Sequence, residues 1–127
     1  MLFIKFYMTS SKVPTNPNPT DMTSKLTVKY IIRYLQQVLN SCYKSNLVVD
    51  GLYGAKTKAA IRCLNNGSKG EYVIWLQKAL NKRGAKLVVY CFYGSATLNS
   101  VKVYQKSRRL KAEGHVGVDT HTKIIND

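Results

Sequence analysis

Apolar residues recur at three- and four-residue spacing in several segments of the chain. The longest stripe runs along 28–42 and predicts a helix with Thr27 as its N-cap. Shorter stripes predict four further helices, at about 55–65, from Ser68 to just before Gly84, at about 95–108 and at about 119–126. The pattern as a whole predicts an all-α fold.

Helix ends and connectors follow from particular residues. Ser68 and Glu71 have the spacing of a capping box, and Gly84 stands where a helix ends on a left-handed glycine. The helix at about 55–65 is predicted to turn Leu64 inward. The two LVV runs, at 47–49 and 87–89, are either brief strands or, as we prefer, extended apolar connectors that plug each bundle.

The sequence contains an internal repeat. YLQQVLN at 34–40 matches WLQKALN at 75–81, and LYGAKT at 52–57 matches FYGSAT at 92–97. Two related helical units of about 40 residues therefore explain most of the chain. We predict two small three-helix bundles packed in tandem, a shortened one at 23–66 and a second at 67–127. All three prolines precede them, so 1–22 is predicted to be a flexible linker or N-terminal segment.

The first glycine loop, VDGLYGAKT at 49–57, has a structural interpretation that needs no ligand. A tight turn with positive φ favours glycine at Gly51 and Gly54. Asp50 can accept backbone N–H bonds and fix the turn. Thr57 can hydrogen-bond back to the loop while its methyl group packs.

The same loop also has a functional interpretation. A glycine loop that meets a helix N-terminus leaves backbone N–H groups available to anions. Tyr53 and its counterpart Tyr93 are predicted to be exposed, where they offer flat faces to a sugar ring. Nearby lysines add positive charge, namely Lys56, Lys58 and Lys102. Such a shallow groove suits an anionic glycopeptide.

The chain is strongly basic. Lys and Arg number 20 against 6 Asp and Glu, which gives a net charge of +14. This imbalance indicates a polyanionic partner: nucleic acid, an anionic membrane or an acidic cell-wall polymer. The basic helix KVYQKSRRLK at 102–111 makes nucleic-acid binding the alternative function, although the sequence has no helix-turn-helix, RNP or zinc pattern. The apolar start MLFIKFYM is too short to cross a bilayer.

Residues with catalytic or metal-binding potential are few. Cys42, Cys63 and Cys91 have no CxxC spacing and are predicted to be small buried apolar residues, with a Cys42–Cys63 bridge as an alternative. His115 and His121 are predicted to be loop or surface residues. We therefore expect no catalytic site, no metal site and no cofactor.

The order of these elements resembles the peptidoglycan-binding domain type 1 over about residues 28–125. The resemblance rests on the two LQ helices, on DGLYGAKT, on FYGSAT and on the closing GHVGVDT. It implies a compact bundle per copy that binds the glycan and its stem peptide without cutting them. Tyr90-Cys91 and Glu113-Gly114 stand where the family pattern has Asp-Gly, so the first loop is the better candidate site.

Such domains accompany the catalytic parts of phage endolysins and bacterial autolysins. The resemblance therefore implies peptidoglycan as the ligand, teichoic acid as a further candidate, and a cell-wall hydrolase domain or full-length enzyme as the partner. It implies synthesis in the bacterial cytoplasm and action at the wall after release or lysis, without membrane insertion. The expected ligand-binding residues are Asp50, Gly51, Tyr53, Gly54, Thr57, Tyr93, Gly94 and Thr97.

Overall fold

A computed structural model describes residues 20–127, with side chains from residue 27 onward. It contains five α-helices, α1 Thr20–Tyr43, α2 Ala55–Ala60, α3 Glu71–Lys82, α4 Ser95–Ser107 and α5 Val118–Asn126. No strand forms within this range, and two isolated antiparallel bridges join Leu64 to Val116 and Lys69 to Phe92. The predicted all-α class is confirmed.

The hydrophobic core lies where α3 packs against α1, α4 and α5. Trp75 of α3 is buried and donates its indole N–H to the carbonyl of Ile31 in α1 at 2.9 Å. The buried apolar residues form one cluster that draws on both predicted units. The division into two tandem bundles, at 23–66 and 67–127, stays a prediction. The largest apolar members of the cluster are Leu35, Leu39, Trp75, Leu76, Leu80, Tyr93, Ile124 and Ile125.

The first helix is longer than the sequence pattern predicts. It begins at Thr20, so the prediction of Thr27 as an N-cap is wrong. No glycine or proline interrupts the chain between Thr20 and Tyr43, and a helix can therefore continue through the whole stretch. Residues 20–22, predicted as the end of the linker, belong to α1. The remainder of that segment, including MLFIKFYM and the prolines, lies outside the described residues.

The second helix is shorter than predicted. It ends at Ala60, because Ile61 adopts an extended conformation with φ −59° and ψ 138°. Leu64 is buried, as predicted, but not from a helix. Its backbone N–H and C=O exchange hydrogen bonds with Val116 at 3.1 and 2.8 Å. A long-range backbone pairing therefore replaces the last turn of the predicted helix.

The later helix boundaries follow the prediction closely, except for one cap. The N-cap of α3 is Gly70, at φ 106°, and Ser68 instead accepts a hydrogen bond from the Asn65 N–H at 3.0 Å. The capping box is therefore wrong, because Ser68 closes the preceding turn. Gly84 has φ 106°, which confirms the predicted left-handed glycine. Helices α4 and α5 lie within one residue of their predicted limits.

The connectors and cysteines differ from the prediction. Leu47 and Leu87 pack against the core, but Val48 and Val88 are 75% and 79% exposed, so the LVV runs plug the bundle only through their leucines. Asn40 and Asn81 each hold the leucine backbone by two hydrogen bonds, which aligns these runs. The prediction of buried cysteines is wrong, because all three thiols are exposed and free: Cys42, Cys63 and Cys91.

Candidate functional site

Three loops with a common geometry form the candidate site. We call them corner 1 (50–57), corner 2 (90–97) and corner 3 (113–120). Each runs from an extended segment into the N-terminus of a helix, α2, α4 or α5. The N-cap is a glycine in extended conformation each time, with φ −95° at Gly54, −103° at Gly94 and −97° at Gly117. A buried glutamine from a preceding helix lies behind each corner.

Two hydrogen bonds donated by the glutamine amide are common to all three corners. The Nε2 groups of Gln36, Gln77 and Gln105 donate to the carbonyl two residues before the N-cap glycine, at 3.0, 3.1 and 2.9 Å. They also donate to the hydroxyl of the threonine three residues after it, at 3.1, 3.0 and 3.1 Å. The accepting residues are Leu52 and Thr57, Phe92 and Thr97, and His115 and Thr120.

The amide oxygens complete this arrangement. Gln36 Oε1 accepts the N–H groups of Asp50 and Gly51, both at 3.0 Å. In corner 2, Gln77 accepts from Tyr90 at 2.8 Å, and in corner 3, Gln105 accepts from Gly114 at 3.0 Å. Buried amides with all these partners satisfied fix the backbone of the surrounding loop. The corners are therefore rigid supports for whatever side chains they expose.

Several predicted ligand residues have internal roles. Gly51, Thr57, Gly94 and Thr97 are all buried. Thr57 accepts a hydrogen bond from Gln36, and not from its own loop as predicted. Gly51 has φ 75°, which confirms the predicted positive φ, whereas Gly54 does not, because an extended N-cap needs no left-handed backbone.

Asp50 is exposed and fixes the turn of corner 1, as the sequence predicts. Its Oδ1 accepts the N–H of Leu52 and the Nε2 of Gln36, both at 3.0 Å. The pKa of the Asp50 carboxyl lies below its usual range because of these two hydrogen bonds, of which the one from Leu52 has the larger effect. The nearby charge of Lys29 lowers this pKa further. The carboxylate stays charged near neutral pH at the edge of the corner.

The two tyrosines of the predicted site differ from one another. Tyr53 is half-buried, with its hydroxyl 2.8 Å from the Thr122 hydroxyl. Tyr93 is fully buried and donates to the carbonyl of Gly114 at 2.5 Å, and burial raises its pKa to about 12. The prediction of an exposed Tyr93 is wrong, because its ring joins the core and links corner 2 to corner 3.

Corner 2 instead exposes two aromatic residues that the sequence interpretation passed over. Tyr90 and Phe92 are 49% and 37% exposed. The Phe92 ring and the Tyr90 hydroxyl lie over Gly94, where a Cβ atom would be 3.2 Å from the Phe92 ring. Phe92 and Tyr93 are neighbours on an extended segment, so their side chains point to opposite sides. This alternation is the signal that could have identified Phe92.

Corner 3 borders a polar cleft of about 290 Å³. Two carboxylates line it, those of Glu113 and Asp119, together with Lys111, whose ammonium lies 3.2 Å from Glu113. The exposed imidazole of His115 hydrogen-bonds Asn65. No residue of this cleft was among the expected ligand residues, although GHVGVDT repeats the frame of the first loop. The remaining lining residues are Gln105, Leu110, Gly117, Val118 and Thr120.

His121 is buried, which overturns its prediction as a surface residue. Its ring stacks on Trp75, and its Nδ1 lies 2.7 Å from the Gly117 carbonyl. A carbonyl only accepts, so Nδ1 carries the proton and Nε2 accepts from the Tyr72 hydroxyl at 2.8 Å. Burial lowers the pKa of His121 to about 4, although the bond to Gly117 opposes the shift. His121 is a neutral part of the core.

The described part of the chain offers little support for a metal site, a membrane-spanning helix or a nucleic-acid-binding surface. From residue 27 onward, no group of three or more His, Cys, Asp or Glu side chains could hold a metal ion. Among the described helices, none has both the length and the apolar character to cross a bilayer. Tyr104, the aromatic of the basic stretch 102–111, is only 7% exposed and hydrogen-bonds Asp127, so α4 presents no open aromatic face there.

The comparison with protein families favours a cell-wall polymer among the polyanionic partners. Residues 69–124 match the family "Putative peptidoglycan binding domain". The resemblance inferred from the sequence is thereby confirmed over the segment that matches the peptidoglycan-binding family, which contains corners 2 and 3. The match supports a role in cell-wall binding.

Two further comparisons add little information about function. A 2.05 Å crystal structure of a peptidoglycan-binding protein from Clostridioides difficile, in complex with glutamine hydroxamate, is similar with a TM-score of 0.49 and 30% identity. The similarity covers 50% of this chain and 40% of that one. A search of curated proteins finds no match.

Proposed function

We propose that this protein is a non-catalytic module that binds peptidoglycan and holds a cell-wall hydrolase, such as a phage endolysin or an autolysin, on its substrate. The observation that carries the proposal is the polar cleft of corner 3, which lies entirely inside the segment that matches the peptidoglycan-binding family. The protein acts at the bacterial wall after release or lysis, and its hydrolase partner supplies the chemistry.

The cleft suits a stem peptide attached to a glycan. Glu113 and Asp119 can accept from amide and ammonium groups, while Lys111 and His115 can pair with peptide carboxylates or sugar hydroxyls. The walls are fixed, because Gln105 holds the His115 carbonyl and the Thr120 hydroxyl from behind. A preformed polar cleft loses little entropy when it takes up a ligand.

The exposed parts of corner 1 form the alternative contact surface. Asp50, Tyr53 and Gly54 reach solvent there, and Leu52 is 65% exposed beside them. Corner 2 offers Tyr90 and Phe92 as flat apolar faces for a sugar ring. The corner 3 cleft differs from both in having concave shape and several charged groups.

Two glycine substitutions test which corner binds. Gly117→Leu places a side chain in the corner 3 cleft, since its Cβ would lie 3.6 Å from His115, an ordinary contact, and φ is −97°. Gly54→Leu is the matched control, because Gly54 is also an N-cap, has φ −95° and has no atom within 4 Å of its Cβ position. Each variant replaces an N-cap glycine, so any destabilisation of the following helix should be similar in both.

The readout is co-sedimentation with sacculi from which teichoic acids have been removed. We expect Gly117→Leu to weaken binding by roughly tenfold or more, equal to about 1.4 kcal/mol, and Gly54→Leu to bind as the parent does. Loss of binding in Gly54→Leu alone would move the site to corner 1. Failure of the parent protein to bind these sacculi, or release of soluble fragments by it, would overturn the proposed function.

A further inference from the structure

The face formed by α1 and α3 carries two parallel pairs of side chains. Tyr30 and Tyr34 lie one turn apart on α1, with ring centroids 6.1 Å apart. Lys78 and Lys82 lie one turn apart on α3, and their Nζ atoms lie 5.3 and 5.8 Å from the centroids of Tyr34 and Tyr30. We call this surface the Tyr–Lys strip; it consists of Tyr30, Arg33, Tyr34, Gln37, Lys78 and Lys82.

The strip is a continuous shallow groove. One hollow of about 250 Å³ lies between Arg33, Tyr34 and Lys78, and a second of about 520 Å³ lies between Tyr30, Asn81 and Lys82. No carboxylate lines either hollow.

The charges along this groove are mostly unmatched. The carboxylate of Glu71 borders the strip and accepts a hydrogen bond from the Tyr34 hydroxyl at 2.8 Å. Across residues 27–127, neither Lys78 nor Lys82 forms an ion pair with a carboxylate. The groove therefore combines positive charge with an open path along the two helices.

We propose that the Tyr–Lys strip binds a phosphodiester polymer of the teichoic acid class, in which polyol units are joined by phosphates. The two lysines lie four residues apart on α3, about 6 Å along the helix axis, so successive phosphates of a flexible polymer can contact both. The tyrosine rings hold the ammonium groups in place through cation–π contacts. Arg33 lines the first hollow, and although its Nη1 donates to the Val49 carbonyl at 3.3 Å, its other N–H groups suit phosphate oxygens.

The ring geometry favours a polyol phosphate over a nucleic acid. Single-stranded nucleic acids bind through bases that stack on open aromatic faces. Here the lysine ammonium groups already lie over both tyrosine rings, and the rings are tilted by 56° to each other. They leave no parallel platform for successive bases. The choice of a wall polymer as the source of the phosphates also rests on the proposed function.

The strip lies outside the corner 3 cleft and differs from it in chemistry. No residue of the strip lines the cleft, although Lys78 and Lys82 lie on α3, inside the segment that matches the peptidoglycan-binding family. The two surfaces can therefore be inactivated separately. A protein with both would contact the glycopeptide and the phosphate polymer of the same wall.

The test uses the full chain and purified poly(glycerol phosphate) in titration calorimetry. The variant is the double substitution Lys78→Ala/Lys82→Ala. Its matched control is Lys102→Ala/Lys106→Ala, which removes the same charge from exposed lysines with the same spacing on α4. Circular dichroism verifies that each variant is folded.

We expect the strip variant to bind the polymer at least about tenfold more weakly at roughly 50 mM salt, with a flatter salt dependence, and the control to change less than about twofold. Equal losses in both variants would show that only net charge matters and would overturn the proposal. Tighter binding of a thymidine oligonucleotide of matched length than of the polymer, lost in the strip variant, would assign the strip to nucleic acid.

Teichoic-acid-free sacculi separate this proposal from the proposed function. The strip variant should sediment with them as the parent does, because the glycopeptide cleft is unchanged. If the parent binds poly(glycerol phosphate) but not these sacculi, the strip proposal stands and the peptidoglycan proposal fails. If the parent binds the sacculi but not the polymer, the reverse holds.

Discussion

The imidazole ring of His121 stacks on the indole ring of Trp75, with centroids 5.4 Å apart and planes only 9° from parallel. Both rings are buried, and each uses its polar atoms in hydrogen bonds to other parts of the core. The pair joins α5 to α3 and, through the Ile31 carbonyl, to α1. A titratable group thus lies at the meeting point of three helices.

Because His121 is buried in its neutral form, we expect the free energy of unfolding to fall in mild acid. The pKa of His121 is about 4 in the folded protein, below its ordinary value of 6.5, so the unfolded chain binds the proton more readily. The contribution of neutral His121 to the free energy of unfolding is fully present above pH 6.5 and is lost as the pH falls toward 4. We expect a loss of about 2 kcal/mol between about pH 7.5 and 5, measured by urea unfolding.

The control is His121→Gln, which removes the titrating group but keeps hydrogen-bonding atoms. Its unfolding free energy will start lower, because the stacked ring is lost, and will change less over the same pH interval. An equally steep pH dependence in this variant would assign the effect to the carboxylates.

Because the glutamine amides hold the corners, we expect substitutions at Gln36 and Gln37 to differ strongly in their effect on the free energy of unfolding. Gln36→Leu leaves the N–H of Gly51 and the carbonyl of Leu52 without their partner, and it leaves the N–H of Asp50 with the Val48 carbonyl at 3.1 Å. Gln37→Leu alters an exposed residue on the same helix. We expect the first change to cost roughly 3 kcal/mol and the second less than about 0.5 kcal/mol in thermal or urea unfolding.

Hydrogen exchange provides a local check on the same pair. The amide of Gly51 should exchange much faster in Gln36→Leu than in the parent, while the amides of corner 2 stay protected. Unchanged exchange at corner 1 would mean that Gln36 does not hold it.

Corner 2 predicts opposite roles for two aromatic residues. Tyr93→Ala empties a fully buried site and should destabilise the protein by about 3–5 kcal/mol. Tyr90→Ala removes a half-exposed ring and should cost less than about 1 kcal/mol. Thermal unfolding measures both. A mild effect of Tyr93→Ala would restore Tyr93 as a candidate contact residue.

The exposed cysteines predict a simple titration. Because Cys42, Cys63 and Cys91 are all exposed and free, the native protein should react with three equivalents of Ellman's reagent without denaturant. A bridge between Cys42 and Cys63 would leave one reactive thiol. The same measurement in denaturant, before and after reduction, gives the total number of cysteine thiols in the protein.

The sequence predicts the three later helices well. The stripes of α3, α4 and α5 are local, and their boundaries are found within about one turn. It fails where one segment depends on a distant one. Leu64 is buried by pairing with Val116, and His121 by contact with Tyr72 and Trp75. No local period carries such information.

The candidate site was predictable only in part, for the same reason. The glycine loops are visible as a repeat, but which side of each loop faces solvent depends on the glutamine behind it. The sequence shows LQ in two helices as a family feature, without indicating that Gln36 and Gln77 reach into corners 1 and 2. The sequence pattern therefore predicts Tyr93 at the surface and does not identify Phe92.

The packing of α1 on α3 has a practical consequence for protein engineering. Trp75 donates its indole N–H to a residue of α1, and α1 covers one flank of the helix that opens the recognised segment. A chimera that transplants 69–124 alone would leave that flank bare to water and prone to self-association. Any transferable segment cut from this protein should therefore carry α1 along with it.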